Sequence, residues 1–308
     1  MEFLRFLESI RTPAVSALMS SLTYLGDQTV VFIFALVVFW CVSKRQGYYI
    51  FVVSLGGTVI NQWLKMAFRI PRPWVLDPNF TIVESARAAA TGYSFPSGHT
   101  HSSVSLFGAI AISNRQKPLR VICGAFILLV PFSRMYLGCH TPLDVGVAFA
   151  VAAALLAALW PCFRDEKRFL KTIRAVLCAS LAVSLAYALW INLTAFPADV
   201  DEENLAHGVQ NGWTLLGCML GLLLSWWYDQ KKLHFDEKAP LLGQVAKVAL
   251  GLLVIVVIRV ATKPLLNAVA GDALWTNGVR YFLMVAFAGC LWPMTFPYFT
   301  KLGSKSAQ

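Results

Sequence analysis

Three short stretches of this 308-residue chain gather side chains suited to handling a phosphoryl group. KMAFRIPRP carries Lys65, Arg72 and Pro73; FPSGHTHSS carries Pro96, Ser97, Gly98 and His99; SRMYLGCHTPLD carries Ser133, Arg134, His140 and Asp144. Three cations on one face repel one another unless an anion lies between them. Arginine offers a planar fork of donors matched to phosphate oxygens, and lysine adds a point charge. Pro96-Ser97-Gly98 reads as a helix start, and a helix amino terminus, with roughly half a positive charge and unpaired N–H groups, is an anion site. Glycine there lets the backbone approach closely.

The histidines supply the rest of the chemistry. Asp144 follows His140 by four residues, which sets the carboxylate one helical turn along the same face, and Pro142 suits the first turn of that helix. A carboxylate on one imidazole nitrogen leaves the other free as a nucleophile. His99, on a different helix, is placed to protonate a departing oxygen, a contribution typically on the order of 10²- to 10⁴-fold.

These residues must be positioned by membrane helices. The chain is 57% hydrophobic and only 14% charged, well under the roughly one quarter of charged residues in soluble domains. The pattern predicts an all-α, polytopic transmembrane bundle of about nine spans: 28–43, 47–68, 97–114, 119–137, 141–162, 171–192, 208–228, 241–262 and 278–299. Residues 1–27 read as an amphipathic segment lying in the interface, and no cleavable signal peptide is evident. Residues 28–162 read as the catalytic core, and 163–308 as further helices whose role the sequence leaves open.

The net charge of +10 sits in short loops, as membrane topology requires, and does not point to nucleic acid. One side of the nine-span scheme receives Lys44 and Arg45, then Arg115, Lys117 and Arg120, then the cluster from Arg164 to Arg174. It also receives Lys231, Lys232, Lys238, Lys301 and Lys305. That side is read as cytoplasmic, with the carboxyl terminus. The three phosphate-handling stretches then face the periplasm, the exterior or a lumen. The seven cysteines form no CxxC pair, which argues against a disulfide or zinc framework.

Taken in order, Lys65-x6-Arg72-Pro73, Pro96-Ser97-Gly98-His99 and Ser133-Arg134-x5-His140-x3-Asp144 resemble the three-part signature of the type 2 phosphatidic acid phosphatase superfamily. That superfamily includes glucose-6-phosphatase and the vanadium haloperoxidases. The resemblance covers 65–144 directly and implies a haloperoxidase-like core of helices. It also implies metal-independent hydrolysis through a phosphohistidine, with no cofactor. By that resemblance His140 attacks phosphorus, Asp144 orients it and His99 protonates the leaving group. Lys65, Arg72, Ser97, the Gly98 amide and Arg134 hold the phosphoryl oxygens, and Pro73, Pro96 and Ser133 are supports.

Plainer readings cover the neighbours. Arg69 and Arg87 read as snorkelling anchors. His99-x-His101 resembles a metal pair, but side chains two apart on a helix diverge. Cys139 reads as packing, and the acidic segment 198–204 as a solvated loop.

The expected substrate is a lipid phosphate or diphosphate, such as phosphatidic acid, phosphatidylglycerol phosphate or undecaprenyl diphosphate, met in a bacterial plasma membrane. The loop 74–95, mixing aromatic and apolar residues, reads as suited to that interface. The alternatives are a glucose-6-phosphatase-like hydrolase of a soluble sugar phosphate, a lipid phosphotransferase, and a non-catalytic phosphate-lipid binder or transporter. Membrane lipids are the other expected partners, and oligomeric state is not set by the sequence.

Overall fold

The computed structural model describes residues 1–302; Lys305 and the carboxyl-terminal Gln308, on which part of the sidedness expectation rests, lie outside the described residues. Those residues are all-helical, with no strand among them. The helices are α1 (Glu2–Ser9), α2 (Pro13–Thr23), α3 (Gln28–Cys41), α4 (Lys44–Phe68), α5 (Pro73–Leu76), α6 (Gly98–Ser113) and α7 (Lys117–Tyr136). They continue as α8 (Pro142–Phe163), α9 (Glu166–Leu193), α10 (Glu202–Tyr228), α11 (Leu241–Ala270), α12 (Thr276–Ala286) and α13 (Phe296–Phe299).

Each expected span falls on helix, but not every one is long or apolar enough to cross a bilayer by itself. Six runs pass by length and composition: Lys44–Leu76, Lys117–Tyr136, Pro142–Phe163, Glu166–Leu193, Leu241–Ala270 and Thr276–Phe299. The first expected span is instead one arm of a pair, Pro13–Gly26 and Gln28–Cys41, bent by 51°. Two expected spans fall short for separate reasons. α6 has 16 residues and begins with the polar run GHTHSS, which is tolerable because Thr100 to Ala109 are buried in protein. α10 is long enough at 27 residues, but Gln210 and Asn211 lie within its expected span and lower its apolarity.

The chain divides into two compact units. The first comprises Met1–Phe34, Tyr49–Arg164 and Ala195–Gly208 and contains all three motif stretches. Within it α6 packs against α7 and α8. On α4, Gly57 leaves a notch filled by the His101 ring, where an added Cβ would lie 2.0 Å from Cε1. His101 Nε2 lies 3.2 Å from both the Ser54 carbonyl and Ser105 Oγ. Small residues at helix contacts are how membrane helices come close, and this contact turns His101 towards α4.

The amino-terminal segment belongs to the same unit. Leu4 and Leu7 of α1 are buried with Phe80, while Phe3, Phe6 and Ile10 are exposed. Ile82 and Ala86 pack with Tyr136, Leu137 and Cys139. Part of the apolar content of loop 74–95 is therefore core.

The second unit comprises Ala35–Tyr48, Asp165–Thr194 and the chain from Val209 onward. Trp40, Trp292, Phe296 and Phe299 form a buried aromatic group. Lys247 is buried beside it, donating to the carbonyls of Trp40 at 2.8 Å and Glu237 at 2.9 Å, with its ammonium 4.3 Å from the Phe296 ring centre. Lys44 pairs with Asp229 at 2.9 Å.

Candidate active site

The site is built where three helix ends meet. α7 carries Arg134 in its last turn and stops at Leu137. Gly138 follows at φ +84°, a left-handed conformation that glycine adopts without a Cβ penalty, and a Cβ there would lie within 3.0 Å of the Thr81 carbonyl. The reversal lets Cys139 N–H donate to the Arg134 carbonyl at 2.9 Å and delivers His140 directly ahead of α8. Thr141 caps α8 and Pro142 opens it. Thr141 and Asp144 form a reciprocal capping box: Asp144 N–H donates to Thr141 Oγ1 at 3.2 Å and Thr141 N–H to Asp144 Oδ2 at 2.7 Å.

α6 begins at Gly98 with Ser97 as its cap. Ser97 N–H donates to the Asp144 carbonyl at 3.0 Å, which fixes the start of α6 on the start of α8. Ser97 Oγ accepts from Thr100 N–H at 3.4 Å and Thr100 Oγ1 at 3.0 Å, leaving the hydroxyl proton of Ser97 to be donated elsewhere. The Gly98 Cβ position faces open space, with no atom within 4 Å. His99 is half-buried beside it.

The cations close the site. Arg72 is buried; it donates from Nε to the Gly92 carbonyl at 3.0 Å, from Nη2 to Thr91 at 2.6 Å and from Nη1 to Cys139 at 3.1 Å. The same Nη1 lies 3.0 Å from His140 Nε2. Lys65 Nζ donates to the Tyr93 carbonyl. Arg134 is wholly buried, with Nη1 donating to Thr23 Oγ1 at 3.0 Å. Its Nε and Nη2 have no partner among the described residues. Those two donors form one edge of the guanidinium, the edge that engages two phosphate oxygens at once. Leaving buried donors unmade costs about 1–3 kcal/mol each, so the free edge marks where an anion fits.

The contact between Arg72 and His140 also fixes a tautomer. A guanidinium only donates, so Nε2 is the acceptor and the ring proton sits on Nδ1. Burial first, then the charges of Arg72, Arg134 and Lys65, hold the His140 pKa well below its ordinary range. The ring is therefore neutral at neutral pH, with Nε2 turned to Arg72.

The partner of Nδ1 departs from the spacing argument. Asp144 does lie one turn along, but Oδ2 is 3.6 Å from Nδ1, too long for a hydrogen bond. Ser94 stands between them: its Oγ donates to Asp144 Oδ2 at 2.6 Å and lies 3.4 Å from Nδ1. Ser94 and Thr23 are the residues that sequence reasoning missed. Ser94 immediately precedes the stretch FPSGHTHSS, but no spacing rule singles it out. Thr23 lies 111 residues from Arg134 and carries no signal at all.

Among the described residues no group of three or more His, Cys, Asp or Glu could hold a metal ion.

The chain is similar to known proteins over two stretches. Residues 45–168 match the PAP2 superfamily, and residues 213–305 match the transmembrane extension of PAP2 superfamily phosphatases. The undecaprenyl-diphosphatase BcrC of Bacillus subtilis is 31% identical over 126 residues, covering 41% of this chain and 62% of that protein. A probable sphingosine-1-phosphate phosphatase of Dictyostelium discoideum is 27% identical over 256 residues, covering 77% of this chain and 58% of its own. Phosphatidylglycerophosphatase B of B. subtilis is 27% identical over 175 residues, covering 52% of this chain and 81% of its own. The chain thus spans about three fifths of the length of the first two relatives. No solved structure matches it. With the superfamily domain and its transmembrane extension both matched, this integral membrane protein belongs to the PAP2 superfamily.

Proposed function

We propose that the protein is a membrane phosphatase that hydrolyses the phosphate monoester or diphosphate of a lipid, on the non-cytoplasmic face, through a phosphohistidine and without a metal ion. The observation that carries the reading is the buried His140, whose Nε2 accepts from Arg72 Nη1 at 3.0 Å, together with the free donor edge of the buried Arg134. A site that only gripped phosphate would not need a nucleophile held in one tautomer.

In the first step Nε2 attacks phosphorus in line as the bond to the leaving oxygen breaks. Arg72 passes its N–H from Nε2 to a phosphoryl oxygen, and the free edge of Arg134 takes two more. Lys65, Ser97 and the Gly98 amide complete the cradle, and this charge stabilisation is the largest contribution to the rate. His99, which takes up a proton as the phosphate anion enters beside it, protonates the leaving oxygen. In the second step His99 takes a proton from water, which attacks phosphorus and breaks the N–P bond, releasing phosphate and restoring the His140 lone pair.

The lipid reading draws on the names of the relatives, which denote undecaprenyl, phosphatidylglycerol and sphingosine phosphates. In the proposed topology α3, bent by 51° from the interfacial α2, supplies the first of nine passes, with α6 and α10 as the two less apolar ones. That places the basic loops and carboxyl terminus in the cytoplasm and the site outside. Residues 1–27 lie in the interface, 28–162 form the catalytic core and 163–308 supply further transmembrane helices.

The test is phosphate release by the purified protein in detergent with EDTA present. The substrates are phosphatidic acid, phosphatidylglycerol phosphate, undecaprenyl diphosphate and glucose 6-phosphate. Release from a lipid phosphate that survives EDTA is expected, and millimolar vanadate should suppress it by occupying the cradle. Loss of activity in EDTA would contradict the metal-free mechanism; preference for glucose 6-phosphate would contradict the lipid reading.

A further inference from the structure

We infer that Ser94 is a positioning residue for the nucleophile, a hydroxyl bridge through which Asp144 acts on His140; the inference rests on the phosphatase reading above. Ser94 is completely buried, and its backbone is fixed by its own N–H donating to the Ile70 carbonyl at 2.8 Å. Its side chain meets both members of the pair, Asp144 Oδ2 at 2.6 Å and His140 Nδ1 at 3.4 Å, while those two groups are 3.6 Å apart. Arg72 at Nε2 fixes the ring proton on Nδ1. Ser94 spends its one proton on the carboxylate, so towards Nδ1–H it presents only lone pairs. The order of donation is therefore Nδ1–H to Ser94 Oγ, and Ser94 O–H to Asp144 Oδ2.

The bridge sets where the ring points and how it carries charge. As the Nε2–phosphorus bond forms, the leaving oxygen takes its electron pair away and is protonated by His99, and the imidazole becomes cationic. No proton crosses the bridge; its two hydrogen bonds strengthen towards the new positive charge. Asp144 alone does not do this in the observed geometry, since Oδ2, held by Thr141 N–H at 2.7 Å in the helix cap, stands 3.6 Å from Nδ1.

The experiment compares wild type, Ser94→Ala, Asp144→Asn and the double variant by phosphate release, with thermal unfolding as a control for folding. Ser94→Ala is expected to lower kcat by about 10- to 100-fold with little change in KM, as for loss of an interaction made in the transition state. The double variant is expected to be no slower than Asp144→Asn, because the two residues act along one path. Full activity of Ser94→Ala would overturn the bridge, as would losses that multiply in the double variant or a change confined to KM. A second measurement does not depend on turnover. In protein carrying ¹⁵N-histidine, the His140 Nδ1–H resonance should move upfield in Ser94→Ala; an unchanged resonance would overturn the bridge. Absence of phosphate release by the wild type would count against the phosphatase reading alone.

Discussion

Two buried cations, one in each unit, show how differently the same chemical problem is solved. Lys247, in the second unit, donates to two carbonyls and lies over an aromatic ring. Arg134, in the first, has one hydroxyl partner and an entire free edge. Asn61, also buried and one turn before Lys65, has neither amide atom paired among the described residues. Burying a charge is costly unless its donors are satisfied. Lys247 meets that requirement with the chain's own atoms and so reads as architecture. Arg134 does not, and reads as half of an interaction completed by phosphate. On the proposed function, similar burial marks a strut in one unit and a binding site in the other.

Substitutions can break this contrast, and the expected effects run from loss of turnover to none. His140→Ala should lower kcat by at least about 10³-fold, as for removal of a catalytic nucleophile, with the thermal midpoint preserved. Arg134→Lys keeps the charge but removes the two-donor edge, and should lower kcat/KM by about 10²-fold, similar to losing one oxyanion donor. Thr23→Val leaves Arg134 in place without its anchor. It should weaken kcat/KM by about 3- to 10-fold, the scale of one hydrogen bond, with most of the loss in KM. Lys247→Met should leave kcat and KM unchanged while lowering stability by about 1–3 kcal/mol for the carbonyls it abandons, read as a drop in the thermal midpoint. Loss of kcat in Lys247→Met without unfolding would erase the distinction between strut and site.

The same contrast explains what was legible in the sequence. Apolar runs located the helices, because a bilayer-crossing helix must hide its backbone and present apolar side chains. The span count was less legible. α6 is sheltered by protein and can be short and polar at its start, and the bend between α2 and α3 is a matter of packing that composition does not record. Arg72, Arg134 and His140 stood out because cations and imidazoles are rare and expensive at a membrane edge. Ser94 and Thr23 did not, since serine and threonine are common there and gain meaning only from what the fold sets beside them. The Asp144 spacing gave the correct turn of helix. It did not reveal that the carboxylate is committed to the α8 cap, nor that a third residue bridges it to the imidazole.

The central claim is that His140 carries the phosphoryl group. The direct measurement is rapid acid-free quenching of the enzyme during turnover of a ³²P-labelled lipid phosphate, followed by a test of the bound label. The account predicts label that is stable in base, lost in acid, recovered on a peptide containing His140 and absent from His140→Ala. Turnover without labelled enzyme, or label retained in His140→Ala, would contradict it.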